Sequence, residues 1–511
     1  MKKFFFSSSF WIILLLIINI AIRLIFVLYG YIDHDEGIAL GNVKLAYSGL
    51  VPFIDYNAWN SLINDYITGI SHFVTTPSII TQRLVAIIFA TFVFMITVKT
   101  SSYIHKKAPL LVAFLLTFGS AYYVYQSTIP YSEQTMTLAL ALSVFFLFKN
   151  EVKHKNTKYA VLALFFSVFA AVIRLQAIPV PFFIYFYFLR RHYYSKFTKL
   201  KLGGLLMAFF ILFYFPFFLR SWEHALYALT WPFFANKILL YVYGVSPRSF
   251  ARLLIFFLDS LRDYGIFFTL LLSGLIYFRF AKKIRAISPP IVLLLAFISL
   301  FVITGLIHTP AYAAYIYPAL PLLSLTAAYF LTQVLSKISY KAHIFIYSLV
   351  LLMTLALFFL FPHFKMIKTS LATISVTPHA YLAEINSYIE KNTNKEDVII
   401  AFFIPALTNT SRNILPYLNE GTGSISIADR NFSEKFHLTN VDMLNEYIKT
   451  KKAKLIVFSE KSIHYFGKNE EEQTQILESI KQNYYLLKKF DTLPNIDGSK
   501  AKVLYIYSQK L

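Results

Sequence analysis

Long apolar segments recur along the first two thirds of this sequence and constrain its fold more than any other feature. They follow one another from Phe10 to Phe361. Hydrophobic residues make up 57% of the 511-residue chain, and charged residues only 14%. A soluble protein cannot cover so much apolar surface, whereas an apolar helix of about 20 residues spans the hydrocarbon core of a bilayer. The sequence therefore predicts an α-helical protein that crosses the membrane many times.

The apolar segments predict eleven spans, with the amino terminus on the cytoplasmic side. Their bounds are Phe10–Tyr29, Thr81–Val98, Leu110–Tyr125, Gln134–Phe148, Tyr159–Ile173, Ile178–Leu189, Leu205–Leu219, Tyr264–Phe280, Ile291–Ile307, Pro318–Leu335 and Ile344–Phe361. In this topology every loop rich in Lys and Arg lies inside, as the positive-inside rule requires. No small-x-small cleavage site follows the first span, so we expect an uncleaved signal anchor. Its Arg23 is expected to snorkel to the outer surface or to meet a carboxylate there.

The charge and the cysteine content exclude some classes of protein. The net charge of +22 comes mostly from Lys and Arg in the short inner loops, where anionic lipid head groups are the expected partners rather than nucleic acid. The chain has no Cys, which excludes disulfides and thiol chemistry. The sequence therefore predicts a protein of the plasma or inner membrane that binds membrane lipids.

Two stretches are predicted to lie on the outer side. Residues 31–78 form the first external loop, in which Ile38–Tyr47 and Leu62–Phe73 are weakly amphipathic and are expected to rest on the membrane surface as helices. A further external segment covers about 220–263. After about residue 366 the composition becomes that of a soluble protein. We therefore predict a membrane domain over 1–365 and an extracytoplasmic domain over 366–511.

The predicted outer domain alternates strands with helices, which indicates a small α/β fold. Thr377 and Pro378 favour a helix start, because Thr caps a helix and Pro suits its first turn. The predicted helices are Pro378–Lys391, about 441–451 and Glu471–Asn483, and the predicted strands are Val398–Phe403, Leu455–Ser459 and Val503–Tyr507.

An acidic cluster, formed by Asp33, His34, Asp35 and Glu36, follows the first span directly. Asp35 and Glu36 are placed to take a proton from a hydroxyl group, as general-base catalysis requires. Asp33 and Asp35, with His34, can also bind a divalent cation through their oxygen atoms. Metal sites usually need ligands from elsewhere too, so we expect no cofactor and leave a divalent cation open.

Several basic residues fall at the predicted outer ends of spans: Arg83, Arg174, Arg220, Arg248 and Arg252. Arg binds phosphate oxygens bidentately, and near a membrane it is costly unless it meets an anion. That anion is a lipid phosphate, a ligand phosphate or a carboxylate. Ordinary head-group contact is the favoured alternative for Arg220, Arg248 and Arg252. Arg174 stands beside Gln176 at a break between two short spans, where lipids have poor access.

Two other ionisable residues are candidates for substrate binding. Glu133 opens a predicted span from the outer side, where the helix dipole alone would also favour a carboxylate. His308 precedes Thr309 and Pro310 at an external span end; a single His in such a place is more often structural.

Several short motifs resemble those of the GT-C glycosyltransferases that use polyprenyl-phosphate sugars. The closest branch contains the protein O-mannosyltransferases and the lipid A aminoarabinose transferases. In the first loop, Asp35-Glu36-Gly37 and Gly49-Leu50-Val51-Pro52-Phe53-Ile54-Asp55-Tyr56 are similar to the family's "DEG … G-x-P-Y-x-D-[FY]". Gln82-Arg83-Leu84, Tyr131-Ser132-Glu133 and Ala314-Tyr315-Ile316-Tyr317-Pro318-Ala319-Leu320-Pro321 resemble the openings of later spans.

The resemblance covers residues 10 to 340 and implies a helical membrane core with interfacial helices and an outer carboxyl-terminal domain. It implies that Asp35 activates the acceptor, and that Asp55, Tyr315 and the Arg residues hold the substrate or the polyprenyl phosphate. Many relatives carry a basic residue and two prolines where this chain has residues 57–61. In some of them that position helps to bind the donor phosphate. In this chain the positive charge would then come from Arg174, Arg220 or Lys237, or the donor would be a different one.

The leading hypothesis is an inverting hexosyl- or pentosyltransferase that moves a sugar from a polyprenyl-phosphate donor to a glycan, lipid or protein hydroxyl outside the membrane. A flippase for lipid-linked glycans is the alternative from another class, although it would favour deeper charges and internal repeats. A metal-dependent oligosaccharyltransferase would favour a Trp-Trp-Asp-like motif in the outer domain, yet no Trp follows Trp231. A further alternative is an assembly protein, in which the acidic loop only forms ion pairs with Arg. The sugar, the acceptor, the polyprenyl chain and the role of the outer domain stay open.

Overall fold

The computed structural model describes residues 8–30, 32, 34–58, 62–75, 78–153, 156–239, 250–280, 287–307, 313–335, 350, 352–356, 358, 378–415, 417–490 and 503–510. Within these residues, six helices are long and apolar enough to cross a membrane: Ser8–Tyr29, Ile79–Ser101, Ser132–Val152, Lys196–Arg220, Pro289–Ile307 and Tyr315–Val334. Shorter apolar helices cover Ala108–Phe118, Thr157–Ile173 and Leu175–Leu189. The predicted class, an α-helical multispan membrane protein, is confirmed, and the count of eleven spans stays a prediction.

The secondary structure elements are numbered in chain order. The α-helices are α1 Ser8–Tyr29, α2 His34–Tyr47, α3 Asn64–Thr68, α4 Ile79–Ser101, α5 Ala108–Phe118, α6 Ala121–Gln126, α7 Ser132–Val152, α8 Thr157–Ile173, α9 Pro179–Leu189, α10 Lys196–Arg220, α11 Trp222–Ile238, α12 Phe250–Phe280, α13 Pro289–Ile307, α14 Leu320–Leu335, α15 Pro378–Lys391, α16 Arg430–Lys435, α17 Val441–Lys449 and α18 Glu470–Asn483. The strands are β1 Val398–Ala401, β2 Asn413–Ile414, β3 Ile425–Ser426, β4 Thr439–Asn440, β5 Leu455–Ser459, β6 Tyr484–Phe490 and β7 Leu504–Gln509.

The chain divides into two compact units. The first is made of residues 1–25, 86–215 and 246–365, and the second of residues 26–85, 216–245 and 366–511. The second unit thus contains the predicted first external loop together with the predicted α/β domain. The proposed domain boundary at residue 366 stays a prediction.

In the first unit, one predicted span is divided into two helices. The prediction placed a single span over Leu110–Tyr125, whereas α5 ends at Phe118 and α6 begins at Ala121. Ser120 is the N-cap of α6, since its hydroxyl accepts a hydrogen bond from the Tyr123 amide at 3.0 Å. A Cβ atom at Gly119 would lie 2.4 Å from the Phe267 ring. The break therefore combines a helix cap with a close contact that only glycine allows.

The segment predicted as external over 220–263 is largely helical in its described part. It contains α11 and the beginning of α12, which is 31 residues long. Charged residues of this stretch pair with one another: Arg262 lies 3.1 Å from Asp259 and 2.6 Å from Asp263. Because an i,i+3 pair stabilises a helix, these charges continue α12 rather than end it.

The second unit is built on a five-stranded sheet with the order β2-β1-β5-β7-β6. Strands β2, β1 and β5 are parallel, and β7 runs antiparallel to both β5 and β6. The predicted helix Pro378–Lys391 and strand Leu455–Ser459 are confirmed. Strand β6 was missed because it lies at the sheet edge and exposes most of its side chains.

Helix α2 packs into the core of the second unit. Its side chains Ile38 and Leu40 belong to a buried apolar cluster with Ile385 of α15 and with Val457 and Ile506 of the sheet. The prediction that this segment rests on the membrane surface is therefore wrong for its apolar face. A weakly amphipathic sequence did not show which apolar surface, lipid or protein, the helix would meet.

Candidate functional site

The acidic cluster lies at the start of α2, and its two described carboxylates have different surroundings. Asp35 and Glu36 both belong to the first turn of the helix. Asp35 is exposed, whereas Glu36 is buried. Neighbouring residues on an α-helix point about 100° apart, which explains how one faces solvent and the other the interior. Asp33 lies outside the described residues.

Glu36 forms a buried, bidentate ion pair with Arg83, at the start of α4. The Arg83 Nε atom donates to Glu36 Oε2 at 2.7 Å, and Nη2 donates to Oε1 at 2.6 Å. Both side chains are almost fully shielded from solvent. Fork-to-fork pairs of this kind combine charge with a fixed geometry. The pair therefore fixes the first turn of α2, and with it the backbone that carries Asp35.

The end of α1 belongs to the same hydrogen-bond network. Arg83 Nη1 donates to the carbonyl oxygens of Phe26 and Val27, at 3.0 and 3.1 Å. His379 of α15 contacts the Val27 carbonyl oxygen through Nε2 at 2.8 Å. Burial, and secondarily the Arg83 cation, lower the pKa of His379 to about 4. The imidazole is therefore neutral at physiological pH and donates its proton to that carbonyl group.

Gly37 allows α2 to lie directly against the segment after β1. A Cβ atom at this position would lie 2.7 Å from the Pro405 nitrogen and 2.9 Å from its Cδ atom. These are backbone and ring atoms, which cannot move aside. The third residue of the Asp-Glu-Gly motif is thus a packing requirement that holds the acidic turn against the α/β fold.

The loop after α2 is closed by Asp55. Its Oδ2 atom accepts a hydrogen bond from the Val51 amide at 2.7 Å, and the Phe53 amide donates to the Tyr56 carbonyl at 2.8 Å. Phe53 adopts a φ angle of 64° inside this turn. Arg220 lies 3.5 Å from the same Asp55 oxygen and is about half exposed. Asp55 therefore shapes the loop, and its proposed contact with substrate stays a prediction.

A buried polar network follows this loop. Asn57 Nδ2 donates to Glu420 Oε2 at 3.0 Å, and Asn419 Nδ2 donates to the Asn57 carbonyl at 2.8 Å. Tyr56 donates to Asp65 Oδ2 at 3.0 Å, and burial raises the pKa of Asp65 to about 7. Sequence reasoning missed Asp65 and Glu420, since nothing in the chain pattern links these residues. Within residues 57–61, where the resemblance implied a basic residue, Asn57 is an amide that binds a carboxylate.

The first unit contains a second charged cluster, around Arg174. Its Nη1 atom lies 2.5 Å from Glu133 Oε1 and donates to Ser132 Oγ at 2.9 Å. The guanidinium lies over the Tyr315 ring, 5.2 Å from its centre. The structure thus brings together Glu133, Arg174 and Tyr315, three residues predicted separately from the sequence. Arg174 is mostly buried and ion-paired, so lipid head groups are not its counterion.

Arg23 is buried rather than snorkelling. Its Nε atom donates to Ser127 Oγ at 2.8 Å, and Nη1 donates to the Asn19 side chain. The guanidinium lies 5.7 Å from the centre of the Tyr123 ring. Tyr123 in turn stacks on Tyr317. The expectation of a purely interfacial Arg23 is wrong, because polar groups of the same unit surround its charge.

Some candidates cannot be placed. His308 and Arg248 lie outside the described residues, and so do the side chains of Lys237 and Arg252. Across the described ranges, no group of three or more His, Asp or Glu side chains has the arrangement of a metal site. Glu36 is held on both oxygens by Arg83, so it does not fit a shared cation beside Asp35.

No protein-family model and no curated protein matches the sequence. Solved structures match over nearly the whole chain. ArnT from Cupriavidus metallidurans bound to undecaprenyl phosphate matches with a TM-score of 0.65 at 12% identity, covering 98% of each chain. The apo state of the same protein matches with a TM-score of 0.64 at 11% identity, again covering 98% of each chain. The oligosaccharyltransferase of Archaeoglobus fulgidus, in complex with Zn and sulfate, gives 0.50 at 13% identity, covering 93% of this chain and 71% of that one.

At these identities the likeness is one of fold. The chain shares its fold with these ArnT structures, and the predicted fold class, with apolar helices and a carboxyl-terminal sheet, is confirmed.

Proposed function

We propose that this protein is a membrane glycosyltransferase that moves a sugar from a polyprenyl-phosphate donor to a hydroxyl group of a glycan, lipid or protein. In this proposal transfer takes place on the outer side of the plasma or inner membrane, where residues 366–511 form an extracytoplasmic domain. The fold is shared with ArnT, whose structure holds undecaprenyl phosphate. That neighbour supports a polyprenyl-phosphate donor for this chain.

The observation that carries the proposal is the contrast between Asp35 and Glu36. The buried Glu36–Arg83 pair fixes the first turn of α2, while the adjacent Asp35 is exposed. A general base must be held rigidly and still reach its substrate. Asp35 meets both conditions, and its negative charge is favoured at the helix amino terminus. Glu36 and Arg83 are positioning residues in this account, rather than a second base and a phosphate ligand.

The proposed step is a direct displacement with inversion. Asp35 takes the proton of the acceptor hydroxyl as its oxygen attacks the anomeric carbon of the donor sugar. The new C–O bond forms on one face, and the bond to the phosphate oxygen breaks on the other. Polyprenyl phosphate leaves with the electron pair. No step requires a metal ion, and a divalent cation is not part of the proposal.

The departing phosphate needs positive charge. Arg220 is the better candidate for direct contact, because its pairing with Asp55 is long, at 3.5 Å, and about half of the side chain is exposed. Arg174 is held at 2.5 Å by Glu133 and is mostly buried. We propose that Arg220 exchanges Asp55 for the donor phosphate.

The test is release of polyprenyl phosphate by the purified full-length chain in nanodiscs, supplied with a panel of polyprenyl-phosphate sugars and a membrane extract as acceptor. Asp35→Asn should lower turnover by about 10²–10⁴-fold, which is what a general base contributes. Asp442→Asn is the matched control, since Asp442 is likewise an exposed carboxylate in the first turn of a helix. It should keep wild-type turnover.

Equal turnover of the wild type and Asp35→Asn would remove Asp35 from the mechanism. If no donor is turned over, but liposomes containing the protein move a lipid-linked glycan across the bilayer, the flippase alternative is correct instead.

A further inference from the structure

The second unit contains a cavity of about 650 Å³ between α2 and the segment that follows β1. Gly37, Gly41 and Lys44 line it from α2, and Ser48 lines it directly after the helix ends. These positions recur every three or four residues and so lie on one side of the helix. Asp35 is two positions from Gly37, roughly 200° around the helix axis. The cavity therefore lies on a different side of α2 from the proposed base.

The cations that line the cavity are already engaged by the protein. Lys44 Nζ donates to the carbonyl oxygens of Thr408 and Thr410, at 2.8 and 3.1 Å. Arg412 donates to the carbonyl oxygens of Glu390 and Thr393, at 3.0 and 2.7 Å. Arg412 also donates to the hydroxyl groups of Thr393 and Ser411, at 2.8 and 3.0 Å. Since the hydrogen bonds of both cations go to uncharged groups of the protein, these side chains build the wall. The cavity is thus not designed around an anion such as phosphate.

The remaining wall mixes two kinds of surface. Hydroxyl and amide side chains line part of it: Ser48, Thr408, Asn409, Thr410, Asn413 and Asn419. Leu45, Leu50, Leu407, Tyr56 and Tyr417 line another part. A sugar ring has the same two kinds of surface, with polar edges and apolar C–H faces. The volume is typical of small-molecule pockets, which measure about 300–1,000 Å³.

We infer that this cavity binds a part of the acceptor glycan away from the reacting hydroxyl, so that the acceptor in this chain is a saccharide or a saccharide-bearing lipid rather than a bare protein hydroxyl. Two carboxylates, Asp55 and Glu390, also line the cavity and suit hydroxyl donors. The inference rests on the proposed function for its purpose, but glycan binding itself needs no donor and no transfer. According to this inference, the carboxyl-terminal domain selects the acceptor.

Gly41 allows a direct test. A Cβ atom there would meet only the Asn419 carbonyl oxygen, at an ordinary 3.8 Å. Gly41→Phe therefore fills the cavity from the helix that lines it, and Gly41→Ala is the control that leaves it open. Ser48→Trp narrows the cavity from an exposed position and is a second variant in case Gly41→Phe fails to fold.

The probe is a fluorescently labelled mixture of oligosaccharides released by mild acid from the cell envelope of the source organism. It is passed over the full-length chain in nanodiscs without donor, and the retained species are identified by mass. We expect retention by the wild type, Gly41→Ala and Asp35→Asn, and at least tenfold weaker binding by Gly41→Phe and Ser48→Trp.

The outcomes separate this inference from the proposed function. Retention without turnover of any donor would contradict the glycosyltransferase and leave the glycan site standing. Three results would overturn the glycan site, whatever the turnover. They are that the wild type retains no oligosaccharide, that the cavity-filling variants retain as much as the wild type, or that the cavity-filling variants lose bound phospholipid and not oligosaccharide.

Discussion

Arg83 holds both carboxylate oxygens of Glu36, through Nε at 2.7 Å and Nη2 at 2.6 Å. The two residues are separated by 47 positions in the chain, and neither side chain reaches solvent. The pair joins the start of α2 to the start of α4, and the bonds from Arg83 to Phe26 and Val27 add the end of α1. Three helix ends therefore depend on one guanidinium group.

Replacing Glu36 with Gln should lower both stability and turnover. It leaves the Arg83 charge buried without its carboxylate, and breaking such a pair costs about 3–5 kcal/mol. Turnover should fall although Asp35 is intact, because the base loses its support. Thermal unfolding and polyprenyl-phosphate release measure the two effects. Glu434→Gln, which breaks an exposed pair with Arg430, is the control and should change stability by less than about 1 kcal/mol. An unchanged melting temperature for Glu36→Gln would refute the positioning role.

Gly37→Ala should destabilise the protein, while Gly41→Ala in the same helix should not. The added methyl group at residue 37 would lie 2.7 Å from the Pro405 nitrogen, and overpacking of this kind costs about 1–3 kcal/mol. At residue 41 the nearest atom is 3.8 Å away, so the better helix propensity of Ala should add about 0.5–1 kcal/mol. Denaturant unfolding of the two variants measures the difference. Equal stabilities would show that α2 does not need glycine against Pro405.

Asp65 predicts a pH dependence of stability. Its pKa is about 7 in the folded protein, raised from 3.8 by burial. Between these values the folded state binds a proton that the unfolded state has lost, so stability falls as pH rises from about 4 to 7. Asp65→Asn keeps an acceptor for the Tyr56 hydroxyl and removes the titration. The variant should therefore gain stability at pH 8 relative to the wild type, and little at pH 4. Melting temperatures across this range test it, and parallel curves for the two proteins would contradict the assignment.

The Glu133–Arg174 pair should show strong energetic coupling. Glu133→Gln leaves a mostly buried guanidinium without its anion, and Arg174→Met leaves a lone carboxylate. The costs of the two single changes should add up to more than the cost of the double variant, because residues in contact couple by about 0.5–3 kcal/mol. A double-mutant cycle on the free energy of unfolding in mild detergent measures this coupling. Strictly additive effects would mean that the two charges do not stabilise each other.

The sequence was sufficient for the class of fold and for local elements. Apolar spans require only composition and length, and helix Pro378–Lys391 begins where the Thr-Pro signal predicted. The different surroundings of Asp35 and Glu36 were not predictable, because they depend on Arg83, which is far along the chain. The same holds for Asn57 and Glu420, which are separated by 363 positions. Local patterns identify the candidate residues, but only tertiary contacts decide which of them are exposed.

The segments of the second unit are synthesised at widely separated times. This unit consists of residues 26–85, 216–245 and 366–511, so it is complete only after the last segment has been synthesised. At translation rates of about 5–20 residues per second, the ribosome needs on the order of half a minute between residues 85 and 366. During that interval the segment that contains Pro405 has not been synthesised, so Gly37 lacks its packing partner and the hydrophobic face of α2 stays exposed.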